Sequence, residues 1–273
     1  MKKMPVAFIG HGSPMNALED NPFTRGWRSM AAAMPVPAAI LMVSAHWYVR
    51  GTWVLDDPSP KMTYDMYGFP EALYRIVYAA PGAPAMAHRT IELLQASQIE
   101  ARVDNRWGFD HGAWSVLHHM YPQRDVPVFQ LSIDSTAPAE VHYRIGQALA
   151  ILRESGVLII GSGNIVHNLR LVDWSKASQG FEWADQFDQV IHDQIVKRSF
   201  DAVVLAGSPG AAGIANIASM AGKEAQLSIP TPDHFFPLLY VLGACDNNDH
   251  VQVFNNARVF GSISMTSYLF SED

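Results

Sequence analysis

Imidazole side chains can bind a divalent metal and can move a proton near neutral pH, and this 273-residue chain carries eleven of them. Their positions say more than their number. His11 follows a short apolar run at 6–9 and Gly10, His46 follows another at 39–45, and His167 lies just beyond a third at 157–163. Ligands of parallel α/β sheets bind in the crevice outside the carboxyl ends of the strands. Three histidines delivered to that one rim converge even though they are far apart in the chain. Any one of them alone reads as an ordinary turn or capping residue; the recurrence points to a site.

Two more histidines stand in suggestive surroundings. Thr231-Pro232-Asp233-His234 precedes the apolar run 235–242, and Thr followed by Pro predicts a helix start with His234 in its first turn. The positive end of a helix disfavours a protonated imidazole, which leaves the neutral form that coordinates metals. His111 lies in Trp107-Gly108-Phe109-Asp110-His111-Gly112-Ala113-Trp114, a glycine- and aromatic-rich loop suited to a pocket wall. His88, His118, His119, His142 and His192 fall inside expected helices and His250 in a polar turn. These six read as structural or surface residues.

Other chemistries find less support. Gly10-His11-Gly12-Ser13 and Gly161-Ser162-Gly163-Asn164 are turns that could cradle a phosphate, but neither completes a dinucleotide fingerprint. Gly222-Lys223 is followed by Glu224, where a P-loop needs Ser or Thr. The chain has no G-x-S-x-G nucleophile elbow and no H-E-x-x-H pair. Cys245 is the only cysteine, which excludes an internal disulfide and a cysteine-based zinc site. A net charge of −7 with scattered Lys and Arg argues against nucleic acid and anionic membranes as partners. No apolar run reaches the roughly 18–20 residues of a membrane span, and 6–9 is too short for a secretory signal. A soluble cytoplasmic protein is the expectation.

The elements that must position these histidines follow from the apolar pattern. With 49% hydrophobic and 16% charged residues the chain can bury a large core, and its length suits one domain over 1–273. Continuous β-branched runs at 6–9, 39–45, 126–133 and 157–160 predict strands buried on both faces. Helical stretches at 24–34, 85–96, 137–154 and 181–199 lie between or beyond them. In 137–154, Val141, Ile145, Ala148, Leu149 and Leu152 form an apolar stripe, with Glu140, Arg144 and Arg153 off it. Residues 202–222 are rich in Ala and Gly and fit either helix or loop. Residues 251–259 and 262–269 read as an antiparallel edge pair about Phe260-Gly261. The alternation predicts a single three-layer α/β domain with a mixed, largely parallel central sheet and helices on both faces.

Several separated motifs then acquire a common meaning: Gly10-His11-Gly12-Ser13-Pro14, Ser44-Ala45-His46-Trp47, Trp107 to Gly112, Gln130-Leu131-Ser132-Ile133-Asp134, Gly161 to Asn164 with His167-Asn168-Leu169, and Pro232-Asp233-His234. In order and spacing the chain resembles the class III extradiol dioxygenases, specifically the 4,5-DOPA dioxygenase group of plants and bacteria. It is similar, more distantly, to the catalytic β-subunit of protocatechuate 4,5-dioxygenase. The resemblance covers nearly the whole chain.

The resemblance implies His11, His46 and His234 as ligands of one mononuclear divalent metal, with His167 as the acid–base residue beside it and a possible fourth ligand. It implies His111 as a catalytic residue contacting substrate or oxygen, with Ser13 and Asn164 as further substrate contacts. Fe(II) is the metal expected for such a dioxygenase, and the partners would be a small aromatic diol and O2. The wider class uses two histidines and a carboxylate; His234 stands at the carboxylate's position here, with Asp233 beside it. Three histidines also form a familiar zinc arrangement, so a zinc-dependent hydrolase is the alternative enzyme. A non-enzymatic, Memo-like binding protein is a third reading, against which the retention of all four histidines argues.

Overall fold

The computed structural model of the protein describes residues 3–207 and 225–272. Its strands are β1 (Val6–Gly10), β2 (Ala39–Val49), β3 (Thr52–Val54), β4 (Ala101–Val103), β5 (Val128–Asp134), β6 (Val157–Gly163), β7 (His250–Phe254), β8 (Arg258–Val259), β9 (Ile263–Ser264) and β10 (Ser267–Ser271). The helices are α1 (Pro22–Ala32), α2 (Glu71–Tyr74), α3 (Pro84–Ala96), α4 (His111–Met120), α5 (Ala139–Leu149), α6 (Glu182–Val196), α7 (Phe200–Ala206), α8 (Ala225–Ser228) and α9 (Phe236–Ala244).

Eight strands form one sheet in the order β4-β3-β5-β2-β6-β1-β10-β7. The centre is parallel, with Ile40 of β2 opposite Val128 of β5 and Leu158 of β6, and Val6 of β1 opposite Ile159 of β6. Antiparallel pairs flank it: β3 on β5 at one side, β10 on β1 and then on β7 at the other. Successive strand side chains point to opposite faces, so Val6 and Phe8 enter one core while Ala7 and Ile9 enter a second. The first core receives Leu94 of α3, Ile145 of α5, Phe187 of α6 and Leu239 of α9. The second receives Trp27 of α1, Leu73 of α2 and Trp114 of α4. Each fully buried Leu or Phe contributes about 1.5–3 kcal/mol. This double burial is why the central strands are apolar without alternation, and it makes the domain three-layered as expected.

Boundaries moved where local chemistry decided them. Helix α1 opens at Pro22 because Asn21 Oδ1 accepts from the backbone N–H of Phe23 and Thr24, and Thr24 Oγ1 returns a bond to Asn21. The expected helix 137–154 tightens after Leu149 into a 3-10 helix, Ala150–Ser155, ended by Gly156 with φ 80°. Arg153, off the apolar stripe, is buried there. The expected strand 251–259 breaks at Asn255, whose φ is 52°, and a short β8–β9 hairpin closes over Phe260 and Gly261 before β10 pairs between β1 and the edge strand β7. His250 opens β7 instead of lying in a turn. Residues 202–206 belong to α7, and 208–222 lie outside the described residues. Among the described residues no helix is long and apolar enough to cross a membrane.

Candidate metal centre

Strands β2, β6 and β1 are adjacent and parallel, so their carboxyl ends open on one rim. His11 comes directly after β1 and His167 four residues after β6. His46 arrives differently. It lies inside β2, where pairing with β5 stops at Val43/Leu131 and resumes at Tyr48/Ile133, five residues on one strand against two on the other. A bulge of this kind re-aims a side chain next to a site, and here it turns His46 toward His11. His111 is not in a loop but is the first residue of α4, whose N-cap Asp110 accepts from Ala113 N–H. Asp110 also accepts from Ser44 Oγ, Trp107 Nε1 and Gln130 Nε2, tying β2, β5 and the start of α4 together. Its burial pushes its carboxyl pKa up.

His234 precedes its helix instead of occupying the first turn. The N–H groups of Phe235 and Phe236 bond to Pro232 O, and α9 starts at Phe236. The carbonyl of His234 accepts from Asn164 N–H at 2.8 Å. That approach needs Gly163, because a Cβ there would sit 2.1 Å from His234 O. Gly161–Gly163 belong to β6 instead of a turn, and with Asn164 they form a seat for the His234 segment and not a phosphate cradle.

Nitrogens of His11, His46 and His234, the three residues that the resemblance implies as ligands, all lie within 4.8 Å of one another. The tautomer of His11 follows from what holds it. His11 Nδ1 lies 2.9 Å from Ser162 Oγ, and that hydroxyl spends its only proton on Gly112 O at 2.6 Å. Ser162 must accept, so His11 is protonated at Nδ1. His46 Nδ1 faces the Asp65 carboxylate at 3.2 Å, and His234 Nδ1 bonds to the Asp233 carboxylate. Burial, reinforced by the neighbouring histidines, holds the pKa values of His11 and His46 well below the ordinary imidazole value. Both rings are thus neutral, and their Nε2 atoms lie 3.1 Å apart. Histidines with Nδ1 held from behind by a carboxylate or hydroxyl are the usual preparation of metal ligands. Asp233 is bonded to His234 and forms a second possible metal-holding group with His167 and His234. Burial alone would raise its pKa, but its bonds to His234 and Thr231 hold the carboxyl well below the usual range.

His167 stacks on His234 at 3.4 Å between centroids and 9° between planes. Burial, and then His234, lower its pKa well below the ordinary value, with Asp233 opposing. The His111 ring lies 3.8 Å from that of His46, and its Nδ1 bonds to Asp65 Oδ2 at 2.9 Å. A cavity of about 730 Å³ opens over all five rings. Ser13 is on its wall, its Oγ accepting from Met15 N–H. Asn164 is not: it is 1% exposed, donates to Ser264 O at 2.7 Å, and joins the β6 turn to β9. The expectation of a substrate contact there gives way to a structural one.

Asp65 is the residue that sequence reasoning missed. It accepts from the His111 backbone N–H and from His111 Nδ1, and it faces His46. Its surroundings, Tyr64 to Pro70, contain Tyr64, Tyr67, Gly68 and Phe69, an aromatic and glycine-bearing segment like the one that drew attention to His111. Of the six histidines set aside, His142 is fully buried with both ring nitrogens partnered, by Tyr240 and Ala137 O.

Comparison with known proteins agrees with this geometry. The family model described as the catalytic LigB subunit of aromatic ring-opening dioxygenase matches residues 5–271. A 4,5-DOPA dioxygenase extradiol of Escherichia coli (strain K12) is 44% identical over 97% of this chain and 94% of its own length. The protein of the same name from Beta vulgaris is 36% identical over 97% and 95%. The crystal structure of an uncharacterized Escherichia coli K12 protein aligns with a TM-score of 0.79 at 40% identity, over 98% of this chain and 99% of that one. The chain belongs to the LigB family of aromatic ring-opening dioxygenases.

Proposed function

We propose that the protein is an extradiol dioxygenase, acting as one catalytic domain, that opens the ring of a DOPA-like catechol with O2 at a mononuclear Fe(II). The observation that carries this reading is the convergence of nitrogens from three imidazoles on the floor of a cavity roomy enough for a substituted catechol. His11, His46 and His234 hold the ion. Bound there, Fe(II) supplies the electron transfer that lets triplet dioxygen react with a closed-shell diol, which Zn(II) does not. The stack on His234 supports His167 as the group that takes a catechol hydroxyl proton onto an imidazole nitrogen and later returns it. His111, its Nδ1 committed to Asp65, has Nε2 left to hydrogen-bond a substrate oxygen. Ser13 contributes to the wall.

Anaerobic reconstitution with Fe(II) or Zn(II), followed by oxygen-electrode assays over a catechol panel, tests the reaction. Oxygen uptake by the Fe(II) form alone is expected. The three-histidine donor set also suits a zinc hydrolase, and ester or amide cleavage by the Zn(II) form without oxygen uptake would favour that reading. His167→Gln should retain metal while turnover falls about 100-fold or more; near-normal turnover would remove its proton role.

A further inference from the structure

The cavity holds far more space than a catechol ring fills, and its charged groups are unequally committed. Its carboxylates, Asp65 and Asp233, are engaged by His46, His111 and His234. Arg170 is the only Arg or Lys among the described residues of the wall. No acceptor among the described residues holds its guanidinium, yet its backbone is fixed. It sits in the 3-10 turn Leu169–Leu171, three residues past His167, with its N–H bonded to Asn168 Oδ1 at 3.1 Å. Asn168 is itself buried and anchored by bonds to Leu227 O and from Ser262 Oγ. Leu169 and Trp174 flank this position, 66% and 76% exposed, and Trp174 leans on Phe260. An apolar rim around one uncommitted guanidinium suits a tail of methylene groups ending in an anion.

We infer that Arg170 is the specificity-determining residue of this site, binding a carboxylate on the side chain of the catechol whose diol faces the histidines. The inference rests on the catechol reading above. Arg forms paired N–H···O bonds with carboxylates. A cationic tail would meet no free carboxylate on the described wall. The chain's net charge of −7 gives an anion no long-range attraction, so discrimination must be local.

The test compares 3-(3,4-dihydroxyphenyl)propanoate with its uncharged primary amide, using the Fe(II)-loaded enzyme and Arg170→Gln and Arg170→Lys variants. The readout is the ratio of the two KM values. Arg170→Gln should raise KM for the propanoate about tenfold or more relative to the amide, with kcat within about twofold, and Arg170→Lys should recover part of the loss. Equal shifts for both compounds, or none, would overturn the assignment. Anaerobic calorimetric titration of the same compounds separates this from the parent reading. If no catechol consumes oxygen but propanoate binding still depends on Arg170, the ring-opening reading fails and the carboxylate site stands. If neither compound binds, the assignment fails.

Discussion

The same parallel strands end in two buried polar clusters of opposite character. Near the amino ends of β1 and β6, the Arg153 guanidinium donates from Nε to Met4 O at 2.6 Å and from Nη1 to Ala244 O at 2.9 Å. It also grips both carboxylate oxygens of Asp249, at 2.7 and 2.6 Å. Every acceptor there meets a donor. At the carboxyl ends, the Nδ1 atoms of His11, His46 and His234 each face a hydroxyl or a carboxylate, and nitrogens of the three rings converge within 4.8 Å. Burial of a polar group is costly unless it is partnered. The lower cluster meets that requirement within the chain and ties four segments together. The upper one instead brings three metal-capable imidazoles together beneath a cavity.

Removal of one residue from each cluster gives the sharpest test of that contrast. His46→Ala should abolish stoichiometric metal binding and lower oxygen uptake by about 1,000-fold or more, while apo-protein stability changes by about 1 kcal/mol or less. Metal analysis beside a urea melt reads both. A variant that kept its metal would end the distinction.

Arg153→Met should do the reverse. Leaving Asp249 buried without its cation costs about 3–5 kcal/mol, yet the folded fraction should bind metal with normal stoichiometry. A loss below about 1 kcal/mol in chemical denaturation would show that the lower cluster is not what ties the segments.

His142 tests whether a buried histidine outside the site behaves as a partnered one should. Its burial lowers its pKa to about 4, against smaller opposing effects of Ala137 O and Asp134. The unfolded chain, with a histidine pKa near 6.5, therefore binds more protons between those values. The stabilising contribution is complete above about pH 6.5 and is lost as pH falls toward about 4, by about 3 kcal/mol in all. His142→Gln should flatten this part of the stability–pH curve relative to the parent protein. A difference curve without slope between pH 6.5 and 4 would refute the assignment.

The smallest effect is expected behind the ligands. Asp65→Asn keeps an acceptor for one ring but not a charge shared by His46 and His111, and metal affinity should drop about 10–100-fold in chelator competition. Unchanged affinity would mean that the bulge in β2 alone aims His46.

Sequence by itself determined the sheet and much of the rim. The runs that became β1, β2, β5 and β6 are short, rich in β-branched residues and apolar at consecutive positions, as strands covered on both faces require. Once those strands are parallel, His11 and His167 must emerge on the same side. Metal ligation by His234 was implied by family motifs, and the structure brings it to His11 and His46 although the helix after it starts later than Thr231-Pro232 suggested. What only the tertiary structure decided was direction and partnership. His46 is aimed by a bulge that exists only in the pairing with β5, Arg153 is buried by segments that precede β1 and β7, and Asn164 is turned toward Ser264. The tautomer of His11 depends on Ser162, 151 residues away. Strand burial is written in neighbouring residues, whereas the proton on a ring nitrogen is set by whichever distant group the packed core places against it.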